Sequence, residues 1–372
     1  MWKKGWALFL CFFLASCVQN HELEQLGLST AAGYDLEDDG RILGTLVLNQ
    51  FDPLKKEAIQ TVQSIGETSK SIRQSINLET SNKIVSGQLR VVTFGKELGE
   101  KGVISITDTL SRDSSIGTMI YLSVSKSRAN ELLRLKSPIL SMGNYLSQLI
   151  EQNIESETII SCTLHEFLQA YYDPGRDPIL PMMELRNGMV LADGLAIFQD
   201  DKVVGEINAR EGFYIKLIRD KYDAGTTEID IPVLDFSTEL INMEPKKDEI
   251  HVVVDQIKSE AKIKLVDPNI PSFEVKIQLD CAVQEISEDI IFNDQQKTDE
   301  FQKLINKGME KRLQNVLAVL QELNSDPIGF GMVYNAKVRG KELTIEEWRE
   351  LYPQAQIKTE IDTRIVRTGI MD

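Results

Sequence analysis

The sequence predicts an α+β fold: two or three mixed domains built from antiparallel-rich sheets packed with amphipathic helices. Three observations carry this. EIHVVVDQIKSEAKIKLVD and SFEVKIQLDCAVQEI alternate apolar and polar residues, as strands with one covered face do, and they follow each other with no helix between. A long helix comes only afterwards. Its Phe301, Leu304, Ile305, Met309, Leu313, Val316, Leu317 and Leu320 fall on one stripe at steps of three and four. No repeat of 20 to 50 residues and no regular strand–helix alternation runs through the 372 residues.

Taken in chain order, the first segment is MWKKGWALFLCFFLASC. Lys3 and Lys4 give a basic start and Trp6 to Ala15 an apolar run, about half the ~20 residues a spanning helix needs. A basic start, a short apolar stretch and then small residues form a cleaved export signal, residues 1–16. Leu14-Ala15-Ser16-Cys17 resembles the bacterial lipobox. That resemblance implies a diacylglyceryl thioether on Cys17, because sulfur is the nucleophile that accepts the lipid, followed by cleavage before it. Two acyl chains hold a protein to a bilayer stably where one is marginal. Residues 17–30 are then a lipidated tether.

An N-terminal α+β domain is expected over 31–205. Asp38-Asp39-Gly40 marks a hairpin turn between apolar runs. The polar stretch that follows, with Ile65, Ile72 and Ile76, reads as a connection and then an amphipathic helix. Leu89 to Phe94 and TMIYLSVS read as buried strands, and residues 137–170 as helical until Pro174, Gly175, Pro178 and Pro181 end the pattern. Strands meeting at an Asp200-Asp201 turn close the domain. A C-terminal α+β domain is expected over 215–372. DAGTTEIDIPV reads as turn-rich, the alternating strands and striped helix come next, TIEEWRELYP is a short helix, and QIKTEIDTRIVRTG is a closing strand.

The net charge of −16 repels nucleic acid and anionic headgroups, so attachment falls to acyl chains and protein partners. No phosphate-wrapping glycine loop and no G-x-S-x-G elbow occurs. Only His21, His165 and His251 are present. His165 lies three residues from Cys162 with no second Cys/His pair to complete a metal site. No catalytic, metal or cofactor site is therefore expected. Cys162 and Cys281 read as small core residues, a disulfide between them being the alternative. Two aromatics carry a choice between core and partner surface. Phe330, between Gly329 and Gly331, stands either in a turn after a helix stop or out toward a partner. Trp348 shares a helix face with Ile345, Leu351 and Tyr352, which packs on the C-terminal sheet or meets a partner.

In order and spacing, a set of stretches resembles the Ger(x)C family, the lipoprotein C subunits of bacterial spore nutrient germinant receptors. They are the lipobox at Cys17, His21-Glu22-Leu23, Ala32-Gly33-Tyr34-Asp35, VTFGKELGEKGV with Leu110-Ser111-Arg112-Asp113, GRDPILP, GLAIFQDDKVVGEI, SDPIGFGMVY, EEWRELYP and IDTRIVRTG. Members often carry Trp-Asp after the lipidated cysteine, where this chain has Val18-Gln19. The resemblance implies a non-enzymatic lipoprotein, palmitate-type acyl chains on Cys17, and a place on the outer face of the spore inner membrane. It implies integral membrane A and B subunits as partners and a role in nutrient-triggered germination. The other classes are an extracytoplasmic solute-binding lipoprotein, which needs two similar lobes the halves do not supply, and a cell-envelope hydrolase, which needs an acid/base set not found here.

Overall fold

The computed structural model describes residues 25–52, 55–135, 141–237, 240–241, 248–291, 294–338 and 343–368. Cys17, the signal and His21 lie outside them. The α+β expectation holds, with two mixed sheets and helices packed on each.

The first sheet has nine strands in the order β3-β2-β1-β5-β6-β7-β8-β9, with the short β4 (Lys83–Val85) also on β1. Its centre is parallel: β1 (Leu26–Leu36), β5 (Val91–Gly95), β6 (Tyr121–Ser125) and β7 (Ile179–Arg186) run the same way. Buried on both faces, β5 is VVTFG, apolar but for Thr93, whose hydroxyl pairs with that of Ser123 at 2.9 Å. The flanks are antiparallel: β2 (Ile42–Asp52) and β3 (Lys55–Gly66) on one side, β8 (Met189–Gln199) and β9 (Lys202–Ile207) on the other.

Helices cover both faces. On one lie α1 (Ser69–Glu79), α2 (Lys96–Lys101) and α3 (Ile104–Ser111), whose Ile72 and Leu110 share the surroundings of Tyr34. On the other lie α4 (Ala129–Leu133) and α5 (Met142–Glu155). Gly33 points at α4, where any Cβ would sit 2.7 Å from Leu133 Cδ1 and 3.1 Å from Ala129 Cβ. Its neighbour Tyr34, one residue on and therefore on the opposite face, looks the other way. Helix α6 (Leu164–Tyr172) opens on a reciprocal cap, the Thr163 hydroxyl accepting from Glu166 N–H while the Glu166 carboxylate accepts from Thr163 N–H.

The second sheet runs β10 (Gly225–Pro232), β11 (Glu249–Asp267), β12 (Ser272–Ile286), β13 (Gln356–Thr368), with β13 parallel to β12 and the rest antiparallel. Its inner face, Phe273, Val275, Ile277, Leu279 and Cys281, packs under α8 (Gln295–Glu322), and all eight apolar residues of the expected stripe are buried. The outer face is a ladder of charges that pair across strands, such as Lys276 with Glu360 at 2.9 Å. Between the sheets sits α7 (Ala209–Arg219), whose Phe213, Tyr214, Ile215 and Leu217 join one core with Ile179, Leu195 and Ile197 of the first sheet and Val252 and Val254 of the second.

Four local expectations change. Residues 26–30, assigned to the tether, already belong to β1. Ile65 belongs to strand β3 and not to the helix, which starts at Ser69 after the Thr68 cap; the i, i+7 step from Ile65 to Ile72 imitates a helical stripe. The turn-rich 225–232 is strand β10. Past the helix stop, Phe330 opens a further helix, α9 (Phe330–Lys337).

Candidate functional site

Three segments distant in sequence meet where the two sheets join. The first is the loop after α6, ending Gly175-Arg176-Asp177-Pro178. The second is Asn324–Gly331, which leaves α8 and enters α9. The third is α10 (Ile345–Leu351). They include GRDPILP, SDPIGFGMVY and EEWRELYP, three of the stretches that carry the family resemblance.

At the centre lies the Asp177 carboxylate, its side chain 4% exposed. One oxygen accepts from Asp326 N–H at 2.8 Å and from Arg349 Nη1 at 2.6 Å; the other accepts from Asp200 N–H at 3.1 Å and from Arg349 Nη2. Arg349 therefore grips Asp177 in a two-pronged fork, the strongest geometry a carboxylate and a guanidinium can form. It also donates to Asn324 C=O at 2.8 Å and to Asp200 Oδ1 at 3.0 Å. Burial works against the guanidinium's charge, but the hydrogen bonds and charge of Asp177, then those of Asp200, outweigh it and hold Arg349 protonated. Two more bonds complete the seam: Asp177 N–H donates to Asp326 C=O at 2.9 Å, and the Ser325 hydroxyl donates to Phe198 C=O on β8 at 2.6 Å.

Asp326 is the second buried carboxyl, with no exposed surface. It accepts from Gly329 N–H at 2.8 Å, Gly331 N–H at 2.9 Å and Trp348 Nε1–H at 3.1 Å. Burial pushes its pKa up to about 7; the N–H groups of Gly331, Gly329 and Phe330 pull it down, and the charge of Asp177 adds to the rise. Glycine is required around it for two reasons. Gly329 has φ +93°, a left-handed conformation that costs a side-chain-bearing residue. At Gly331 a Cβ would lie 2.5 Å from Gly175 Cα and 2.8 Å from Trp348 Cε2.

Phe330 and Trp348 are here corrected as partner-facing candidates: they are 0% and 2% exposed. Phe330 packs on Phe273 with ring centroids 5.1 Å apart, and Trp348 meets Tyr352 at 5.6 Å and Tyr334 at 5.7 Å. The α10 face packs on the C-terminal sheet through Phe273, whose ring stands edge-on to Trp348. The turn at Gly329 exists to aim Phe330 inward.

The cysteines belong to separate cores, Cys162 in the first and Cys281 in the second, and both are free. Burial raises both thiols, Cys281 to about 12, so neither is reactive at neutral pH. His165 is exposed. A set that looking only for Cys/His pairs misses is Glu228, Asp230 and His251, whose ligand atoms lie within 4.8 Å of one another. Asp230 and His251 stand opposite each other on β10 and β11, and Glu228 is two residues along. Arg312 already reaches Asp230 at 3.0 Å and Arg210 reaches Glu228 at 2.8 Å, so the carboxylates are neutralised within an ion-pair network.

Residues 19–185 match the family described as spore germination protein N-terminal domain, and residues 193–369 match spore germination B3/GerAC like, C-terminal. The chain belongs to the Ger(x)C family of spore germination proteins. Its role is therefore in spore germination. It is 25% identical to spore germination protein GerQC of Bacillus cereus over 99% of this chain and all of that one. It is 20% identical to the putative spore germination protein YfkR of Bacillus subtilis (strain 168), over 98% and 96% of the two chains. The crystal structure of the GerBC protein superimposes with a TM-score of 0.52 at 15% identity, covering 90% of this chain and 96% of that one, and so shares the fold. Among the described residues of this Ger(x)C protein, no helix is long and apolar enough to cross a membrane.

Proposed function

We propose that this Ger(x)C protein is the lipid-anchored C subunit of a nutrient germinant receptor. In this reading it is held by acyl chains on Cys17 to the outer face of the spore inner membrane, and it works by assembly with integral membrane A and B subunits. The observation that supports this most is the family match over both domains, taken with Leu14-Ala15-Ser16-Cys17 upstream of the first. A non-catalytic role fits the junction. Asp177 and Asp326 are two neighbouring carboxyls there, yet both are buried and occupied, Asp177 by Arg349 and Asp326 N–H across the junction and Asp326 by Gly329, Gly331 and Trp348. They hold the chain together and cannot reach a substrate. The relatives named for germination cover 98–99% of this chain and 96–100% of their own length, so the proposal does not rest on one shared module.

The test is Cys17→Ser in sporulating cells fed radiolabelled palmitate. The expected result is an unprocessed precursor with no label and a loss of nutrient response. Label entering the mutant chain would overturn the anchor. A normal nutrient response through this protein in spores lacking the cognate A and B subunits would overturn the assembly.

A further inference from the structure

An open sheet presents the free N–H and C=O groups of its outermost strands, and folded chains blunt such edges against pairing with another chain. The two sheets have four edges, β3 and β9 in the first, β10 and β13 in the second. Three of them are blunted. On β13, Ile361 N–H donates to Glu310 Oε1 at 2.8 Å and Thr363 N–H to Asn306 Oδ1 at 3.0 Å, so side chains of α8 occupy the edge. Strand β10 ends at Pro232, which has no N–H, and Arg210 and Arg312 hold its Glu228 and Asp230. Strand β9 is only six residues long and carries Lys202 and Glu206.

Strand β3 has none of these protections. Among the described residues its one strand partner is β2, and no other hydrogen bond reaches the backbone of Ile59 to Ile65. The stretch AIQTVQSIG, residues 58–66, contains no charged residue and no proline, and its isoleucines, threonine and valine favour strands. Ile59 and Ile65 are 49% and 41% exposed. Side chains two apart on a strand share a face, so both stand on the side of Gln63, whose Oε1 accepts from Asn130 Nδ2 of α4 at 2.9 Å. The occupant of this edge is legible in the same spacing. When the strand is laid antiparallel against itself with a two-fold axis at Val62, Ile59 stands opposite Ile65 of the second copy, Thr61 opposite Gln63, and Ile65 opposite Ile59. Each exposed isoleucine covers the other, and no charge is opposed. With the axis one residue away, at Thr61, Ile59 would meet Gln63. A strand of another protein would need that spacing in its own sequence, whereas a second copy supplies it by symmetry.

We propose that β3 is a self-association edge, on which two copies of this chain join their first sheets through an antiparallel ladder from Ile59 to Ile65 centred on Val62. The proposal is independent of the acyl anchor and of the A and B subunits, so its test runs on the full chain purified in detergent. Sedimentation velocity over roughly 1–100 µM should show a monomer–dimer equilibrium. Ile59→Lys with Ile65→Lys sets like charges opposite each other twice and should abolish the dimer at unchanged melting temperature. The register has its own readout. Chains carrying Ile59→Cys, mixed with chains carrying Ile65→Cys, should form a disulfide that peptide mapping places between positions 59 and 65. Neither variant should link to itself there, since the two copies of position 59 lie ~20 Å apart in this register. Cys162 and Cys281 are buried and do not compete. If the lysine pair lowers the melting temperature, the cysteine mixture alone decides. A monomer throughout the concentration range overturns the proposal; if the lysine variant then also fails to accumulate in spores, the edge belongs to a strand of another protein. A dimer that the lysine pair leaves intact overturns it, as does a disulfide between two copies of position 59.

Discussion

Replacing Arg349 by methionine keeps most of the side chain's length and removes its charge and all four of its junction contacts. These are both Asp177 oxygens, Asp200 Oδ1 and Asn324 C=O. Asp177 then retains only the N–H groups of Asp326 and Asp200, and its carboxylate stays buried without a cation. Removing one partner of a buried ion pair costs about 3–5 kcal/mol, because the remaining charge has lost its water and gained nothing in return. That is a large share of the roughly 5–15 kcal/mol by which a folded chain exceeds its unfolded state. Asp177→Asn alone is also destabilising, since its amide N–H2 would face guanidinium donors. The double variant should recover at least about 2 kcal/mol relative to the sum of the singles, the signature of two groups acting on each other. Urea unfolding followed by far-ultraviolet circular dichroism measures this. A loss under about 1 kcal/mol in Arg349→Met, or strict additivity in the double variant, would refute the assignment of Asp177–Arg349 as a stabilising buried pair at the junction.

Two further outcomes are expected. Asp326 has its folded pKa raised, by burial above all, to about 7 from 3.8, so its stabilising contribution is complete below pH 3.8 and is lost as pH rises through 7; Asp326→Asn should flatten the slope of unfolding free energy against pH across that window, and an unchanged slope would show that another group sets it. Gly331→Ala should destabilise by at least about 2 kcal/mol, because one of the two obstructions to its Cβ is the Gly175 backbone, which cannot swing aside as a side-chain end can; a melting temperature equal to wild type would contradict the packing described.

What the sequence disclosed depended on whether a local period existed. Helix α8 shows its stripe because one side faces solvent, and β11 and β12 alternate because their outer face is charged. Helix α7 has no such contrast: Gly212 to Ile218 are all buried between two sheets, so no polar side marks its turns, and the Asn208–Glu211 capping pair at its start is the signal that could have found it. Strand β3 failed for the opposite reason. It is an edge strand with Ile59 and Ile65 both exposed, so it lacks an apolar face to alternate. The junction was visible only in pieces. GRDPILP, SDPIGFGMVY and EEWRELYP each stood out, but Asp177 and Arg349 are 172 positions apart, and no pattern in a single chain ties an aspartate to an arginine at that distance.

The same separation orders events while the chain is being made. Asp177 leaves the ribosome 172 residues ahead of the arginine that will neutralise it, an interval of roughly 10–30 s at ordinary translation rates. During that interval β1 to β9 are all available to pair, but the loop through Asp177 has no cation to bury its charge against and must stay in water. Closing it is therefore among the last steps of folding, and it requires α10. A polypeptide that stops short of residue 349 would present a nearly complete first sheet with an aspartate loop hanging open at its rim, a lesion that proteases recognise.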